Sequence, residues 1–156
     1  MKKVLVFLLL SFLIVGCQDK ETNKEEVKKD PEVQIDEKGD KVVVNLFYWN
    51  GCSHCHDEKE WLETLEANND YLKVNYYEVT EYDELVTSVR NEFLIEGSSV
   101  PLTVIGTDYF IGFGNSSKAR IMNTIEKYKE VDYCDIVEKI ENGEDTLECY
   151  DVNNNE

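Results

Sequence analysis

Residues 41–49, KVVVNLFYW, form a nearly continuous apolar and β-branched run that stops at Asn50-Gly51, and two cysteines three apart, Cys52 and Cys55, follow at once. A run of this length and composition reads as a strand buried on both faces. Asn-Gly is a turn signal. Residues 53–68 then place Trp61, Leu62 and Leu65 on a narrow apolar stripe at helical spacing. The chain must therefore leave a buried strand, turn, and enter a helix with its cysteine pair at the helix start.

The rest of the chain supplies partners for that strand. Residues 72–79, LKVNYYEV, read as a second strand. From 82 to 95, apolar residues at 82, 85, 86, 89 and 93 trace one helical face, and Gly97 is the expected breaker. Residues 102–105 and 109–113 read as two short strands around the hairpin signal Gly106-Thr107-Asp108. Asn115-Ser116-Ser117 offers an N-cap to a helix carrying Ile121, Met122, Ile125 and Tyr128. A last amphipathic stretch with Ile136, Val137 and Ile140 ends at Asn142-Gly143. A β-α-β start requires a parallel pair, and a closing hairpin adds an antiparallel edge. The expectation is an α/β domain over residues 41–131, a mixed four-stranded sheet flanked by helices, with a short helical C-terminal extension over 132–156.

Two cysteines separated by Ser53-His54 at a helix start can close a small disulfide ring. Unpaired N–H groups and the positive end of the helix dipole stabilise a thiolate on the first of them. Cys52 is thus the expected attacking sulfur, and Cys55, one turn further in, the resolving one. Such a pair exchanges disulfides through a mixed-disulfide intermediate and needs no metal or organic cofactor. A partly cationic His54 beside the pair would favour the thiolate and make the disulfide more oxidising. Asp57, Glu58 and Glu60 follow closely and act in the opposite sense. His56 reads as a surface residue. Trp49, just before the motif, is a candidate wall of a substrate-facing surface.

In its strand–Cys52-Ser53-His54-Cys55–helix unit, its element order, and Val100-Pro101 just before the third strand, the chain resembles the thioredoxin-like superfamily over roughly residues 41–130. The stretch from Val100 to Gly106, followed by Phe110-Ile111-Gly112, is closer to the glutaredoxin-like branch than to thioredoxin proper. The resemblance implies that Pro101 is cis, that its loop packs against the cysteine pair, and that Val100 offers backbone to a bound peptide. It also implies a role for His54, since the disulfide oxidases and isomerases of the superfamily carry a His there. One departure matters. Thioredoxins carry a buried acid six residues before the first cysteine, and here that place is Leu46. A water or a nearby side chain would have to take the resolving thiol's proton.

Ahead of this domain, Lys2 and Lys3 precede an apolar run from 4 to 16 that is too short to span a bilayer and reads as a signal peptide. Its end, Ile14-Val15-Gly16-Cys17, resembles the lipobox of bacterial lipoproteins, which implies removal of residues 1–16 and a lipid on Cys17. Residues 17–40 carry fourteen charged residues between 18 and 40 and no aromatics, and read as a disordered, lipid-anchored tether. The expected location is the outer side of a cell membrane. The whole chain has a net charge of −17, which argues against nucleic acid as a partner. The expected partners are cysteine-containing secreted or membrane proteins and a membrane thiol-redox partner. Outside the cytoplasm, Cys134 and Cys149 read as a structural disulfide, with a second redox pair as the alternative.

Together these features predict a membrane-anchored thiol–disulfide oxidoreductase. Three other readings stay open. Cys52-Ser53-His54-Cys55-His56 also fits the covalent haem motif C-x-x-C-H, with Met122 or His54 as a second axial ligand. Cys52, His54, Cys55 and His56, with Cys134 and Cys149, would serve a metal-binding module. A non-catalytic binding protein on the same fold is the third.

Overall fold

A computed structural model describes residues 41–152. The readings of residues 1–16 and 17–40, and of the lipid on Cys17, lie outside the described residues. Among those described, no helix is long and apolar enough to cross a membrane.

The elements follow the predicted order. β1 (Val42–Tyr48), α1 (Ser53–Ala67), β2 (Leu72–Glu78) and α2 (Asp83–Glu92) are followed by β3 (Leu102–Ile105), β4 (Asp108–Ile111) and α3 (Asn115–Lys129). Two short helices, α4 (Ile136–Glu141) and α5 (Leu147–Val152), complete the described chain, where the sequence suggested a single stretch. The four strands make one sheet in the order β2-β1-β3-β4. β1 pairs parallel with β2 and antiparallel with β3, and β4 closes the edge antiparallel to β3.

The two-residue period of β1 sends its side chains to two cores. Val42, Val44 and Leu46 join Leu62 of α1 and Ile121 and Ile125 of α3 on one face. Phe47 joins Val86 and Val89 of α2 and Ile136 and Val137 of α4 on the other, where it stacks on Tyr77 at 4.9 Å. This explains the nearly continuous apolar run of β1: helices cover both of its faces.

The C-terminal extension belongs to the core. Ile136, Val137 and Cys149 are fully buried, and each buried branched side chain contributes about 1.5–3 kcal/mol. Asp135 caps α4 by accepting from the N–H groups of Val137 and Glu138, and it also accepts from Asn45 Nδ2 of β1 at 3.0 Å. Cys134 and Cys149 are joined by a disulfide, Cα to Cα 5.1 Å.

Three boundaries depart from expectation. β4 starts at Asp108, paired with Ile105, so the turn is Gly106-Thr107 alone. Gly106 has φ +56, and a Cβ there would meet the Tyr128 ring at 2.7 Å. Gly114 occupies the cap position of α3 in place of Asn115, with its N–H donating to Ser117 Oγ at 2.7 Å. The third is the end of α2. Gly97 is not what stops that helix. Leu94 takes φ +53, and the Leu94 and Ile95 N–H groups donate back to Asn91 O and Arg90 O, a Schellman ending. Glycine is the usual residue at this place, and Leu94 is 88% exposed, so its side chain has little packing to lose. Leu94→Gly is expected to relieve the left-handed strain and raise stability by about 0.5–1 kcal/mol, read as a higher urea midpoint with an unchanged slope.

Candidate active site

The carboxyl end of β1 delivers the cysteine pair. The Val79 N–H donates to Tyr48 O at 2.9 Å and keeps the strand paired to its last residue. The turn beyond it is tied down at three points. Cys52 N–H donates to Trp49 O at 3.0 Å, Asn50 N–H donates to Glu78 Oε1 at 3.2 Å, and the His56 ring Nε2 lies 2.8 Å from Asn50 O. Glu78 also accepts from the Thr80 hydroxyl and from Thr80 N–H at 2.8 Å. The Thr80 hydroxyl first, and then these N–H groups, hold its carboxyl below the usual range.

Cys52 is the N-cap of α1, with extended φ −104 and ψ 115. Its Sγ accepts from Cys55 N–H at 3.2 Å, and its carbonyl accepts the first helical bond, from His56 N at 3.2 Å. The sulfur therefore stands where a Ser or Asp oxygen usually caps a helix, in the field of the helix's free N–H groups. Cys52 is half-buried and Cys55 has no exposed surface. The two form a disulfide with Cα atoms 5.2 Å apart, within the normal span.

Val100-Pro101 is a cis peptide, and Pro101 is buried. Cys52 Sγ lies 3.9 Å from Val100 O. In the disulfide that sulfur has no proton to give, so this is a contact; the reduced thiol would donate there. The loop is held from both sides. Gly112 N–H donates to Pro101 O at 2.8 Å, and Arg90 Nη2 of α2 donates to Ser99 O at 3.1 Å. The loop and the pair thus meet although forty-eight positions separate Cys52 from Val100.

The predicted residues divide cleanly. Cys52, Cys55, Val100 and Pro101 come together. Trp49 flanks them, 48% exposed, with its ring folded over Gly51. His54 is exposed in the first turn of α1, and His56 is exposed but tethered through Asn50. Cys134 and Cys149 are bonded to each other within the core on the α2 face. Among the described residues, no three His, Cys, Asp or Glu side chains converge as metal ligands would.

Two residues escape a reading by motif. Glu78 anchors the turn before the pair, and only its register opposite Tyr48 in the adjacent strand discloses this. From sequence Glu58 is one of three acids close behind the pair; in the structure it is 1% exposed and accepts from the Thr103 hydroxyl at 2.5 Å. The signal was the helical period: the apolar positions 62 and 65, stepped back by one and two turns, reach 58 and 55.

Three solved structures are similar to this chain over 56% of its length. A Trichomonas vaginalis thioredoxin is 19% identical over 79% of its own chain, with a TM-score of 0.44. Thioredoxin 1 of Thermosipho africanus is 25% identical over 94% of its chain, at 0.42. The germline-specific thioredoxin Deadhead of Drosophila melanogaster is 18% identical over 81%, at 0.39. No protein-family model and no curated protein matches the chain. The strand order, the C-x-x-C disulfide at a helix start and the cis proline beside it make the fold thioredoxin-like. Its arrangement is one for thiol–disulfide exchange.

Gly51 is the position where this geometry is most exposed to a small change. A Cβ there would overlap the Trp49 ring, at 2.6 Å from Cζ2 and 2.7 Å from Cζ3, so the indole must move. Gly51→Ala is expected to shift the Trp49 emission maximum, measured in a Trp61→Phe background so that one indole reports.

Proposed function

We propose that this protein is an extracytoplasmic, membrane-anchored thiol–disulfide oxidoreductase acting on cysteines of secreted or membrane proteins. The observation that carries the reading is the half-buried Cys52 sulfur, capping α1 and touching the carbonyl before a cis proline. The Cys52 thiolate attacks a client disulfide and forms a mixed disulfide. Cys55 then attacks Cys52 and frees the reduced client, leaving the Cys52–Cys55 bond. Run backwards, the same steps oxidise a client. The direction follows the reduction potential of the pair, for which 30 mV is worth about 1.4 kcal/mol.

Docking falls to the ground around the sulfur. Val100 O offers an acceptor to a client backbone, Pro101 shapes the loop, and the exposed Trp49 ring offers an apolar wall. His54, exposed at the helix start, tunes the pair. The Cys134–Cys149 bond is assigned a structural role, because it ties α5 to the chain just before α4 within a packed core. The anchor is assigned to Cys17, with a membrane thiol-redox protein as the recycling partner.

Cys52→Ser is expected to abolish both insulin reduction and dithiol oxidation, while Cys55→Ser accumulates a mixed disulfide visible on a non-reducing gel. Equal turnover in wild type and Cys52→Ser overturns the function. The anchor is checked by fractionation: Cys17→Ala is expected to move the protein out of the membrane fraction.

The second disulfide has its own check. Closing a loop fifteen residues apart constrains the unfolded chain by about 3 kcal/mol. The double variant Cys134→Ser, Cys149→Ser is expected to lose roughly that much in urea unfolding and to keep its turnover. A folded variant without turnover would assign the pair to an electron relay instead.

A further inference from the structure

If the exchange chemistry proposed above holds, on which this inference rests, the buried Cys55 thiol must lose a proton before its sulfur can attack Cys52. Burial in apolar surroundings makes that loss unfavourable, because it penalises the thiolate. Leu46 cannot accept the proton.

Glu58 lies three residues beyond Cys55 in α1, so the two side chains leave the same face of the helix about one turn apart. Both are buried, Cys55 fully and Glu58 to within 1%. Glu58 Oε1 accepts from Thr103 Oγ1, while Glu58 Oε2 is buried and meets no hydrogen-bond donor among the described residues. Thr103 stands two residues after Pro101 and is the cross-strand partner of Leu46. The carboxyl therefore comes down from the helix onto the part of the sheet where an acid at position 46 would have stood.

Packing alone does not account for it. A buried carboxyl without a cation is expensive, and one hydroxyl bond is a small return. A neutral side chain of the same length would accept the Thr103 bond at lower cost. What an acid adds is a group that takes and returns a proton.

We propose that Glu58 is the proton acceptor for Cys55 in resolution, with Thr103 positioning its carboxyl. In the step, the Cys55 S–H proton passes to Glu58 Oε2. The Cys55 electron pair forms the bond to Cys52 Sγ, and the bond from Cys52 to the client sulfur breaks. The client sulfur leaves as a thiolate and is protonated by solvent. The Cys52–Cys55 dithiol has then been oxidised by two electrons and the client disulfide reduced by two. Glu58 gives its proton back to Cys55 when the pair is next reduced.

The electrostatics agree with such a role. Burial pushes the Glu58 carboxyl up to about 7, and the Thr103 bond pulls it only part of the way back. A carboxyl with that value exchanges a proton readily near neutral pH. On its own helix Lys59 is paired with Glu63 and lies over the Tyr48 and Tyr76 rings. On the same sheet face β1 carries Leu46 and Tyr48, β2 carries Tyr76, and β3 carries Thr103. From α3, Lys118 lies over Trp61 and Phe113. None of these charges is among the causes of the Glu58 displacement. Below about 7 the carboxyl is protonated and cannot accept; above it, it can.

The full chain is reduced and mixed with 5,5′-dithiobis(2-nitrobenzoate). Rapid acid quench and mass spectrometry of the Cys52 peptide then follow formation and decay of its mixed disulfide. In wild type the decay rate is expected to rise through an inflection near pH 7. Glu58→Gln keeps an acceptor for Thr103 but cannot take a proton. Its decay at neutral pH, relative to formation, is expected to fall about tenfold or more, with the deficit shrinking as the pH is raised and the thiol ionises unaided. Decay in Glu58→Gln at the wild-type rate and with the wild-type profile overturns the proposal. So does a wild-type profile whose only inflection lies at about 8.5 or above, a reading that stands even if Glu58→Gln does not fold. A wild-type mixed disulfide that never decays removes the exchange function itself; decay that is alike in both proteins removes only the role of Glu58.

Discussion

A helix that begins on a cysteine turns its first free N–H groups toward a sulfur. In this protein Cys52 Sγ accepts from Cys55 N–H, and that one bond joins structure to chemistry. As a cap it satisfies a donor that the helix cannot satisfy internally. As an electrostatic contact it favours negative charge on the same sulfur. The position of that sulfur is set by what precedes it. β1 is paired on both sides, and the three ties on the Trp49–Cys52 turn leave it little freedom. The cis Val100-Pro101 loop arrives from the other direction, fixed by Gly112 and Arg90.

The two sulfurs of the pair live in different surroundings, and their environments separate their tasks. Cys52 is at the boundary with solvent, backed by backbone donors. Cys55 faces the core on the same side of α1 as Glu58 and Leu62. A nucleophile that must meet a large partner needs the first environment. A nucleophile that acts only within the molecule tolerates the second, provided its proton has a destination. Placing an acid on the helix rather than on the strand leaves β1 free to stay wholly apolar at Leu46.

Much of this was legible from residue order. The strand at 102–105 stands out because a proline and a glycine bracket it, and β1 because only a strand covered on both faces is apolar at consecutive positions. What stayed hidden depended on neighbours in space. The stop at Leu94 uses a backbone conformation that glycine usually adopts, so Gly97 attracted the expectation. The cap at Gly114 contributes no side chain of its own and works through Ser117 Oγ. Glu58 was masked by its type: a carboxylate flanked by Asp57 and Glu60 looks solvated, and only the helical stripe through Leu62 puts it inside. Glu78 had no local signature at all, since its partners, Asn50 and Thr80, are defined by the register of β2 against β1.

The C-terminal helices close the α2 side of the sheet with Ile136, Val137 and Cys149. Phe47 of β1, the strand that ends at the cysteine pair, lies in the same cluster. A change that loosens these two helices therefore reaches the strand that leads to Cys52.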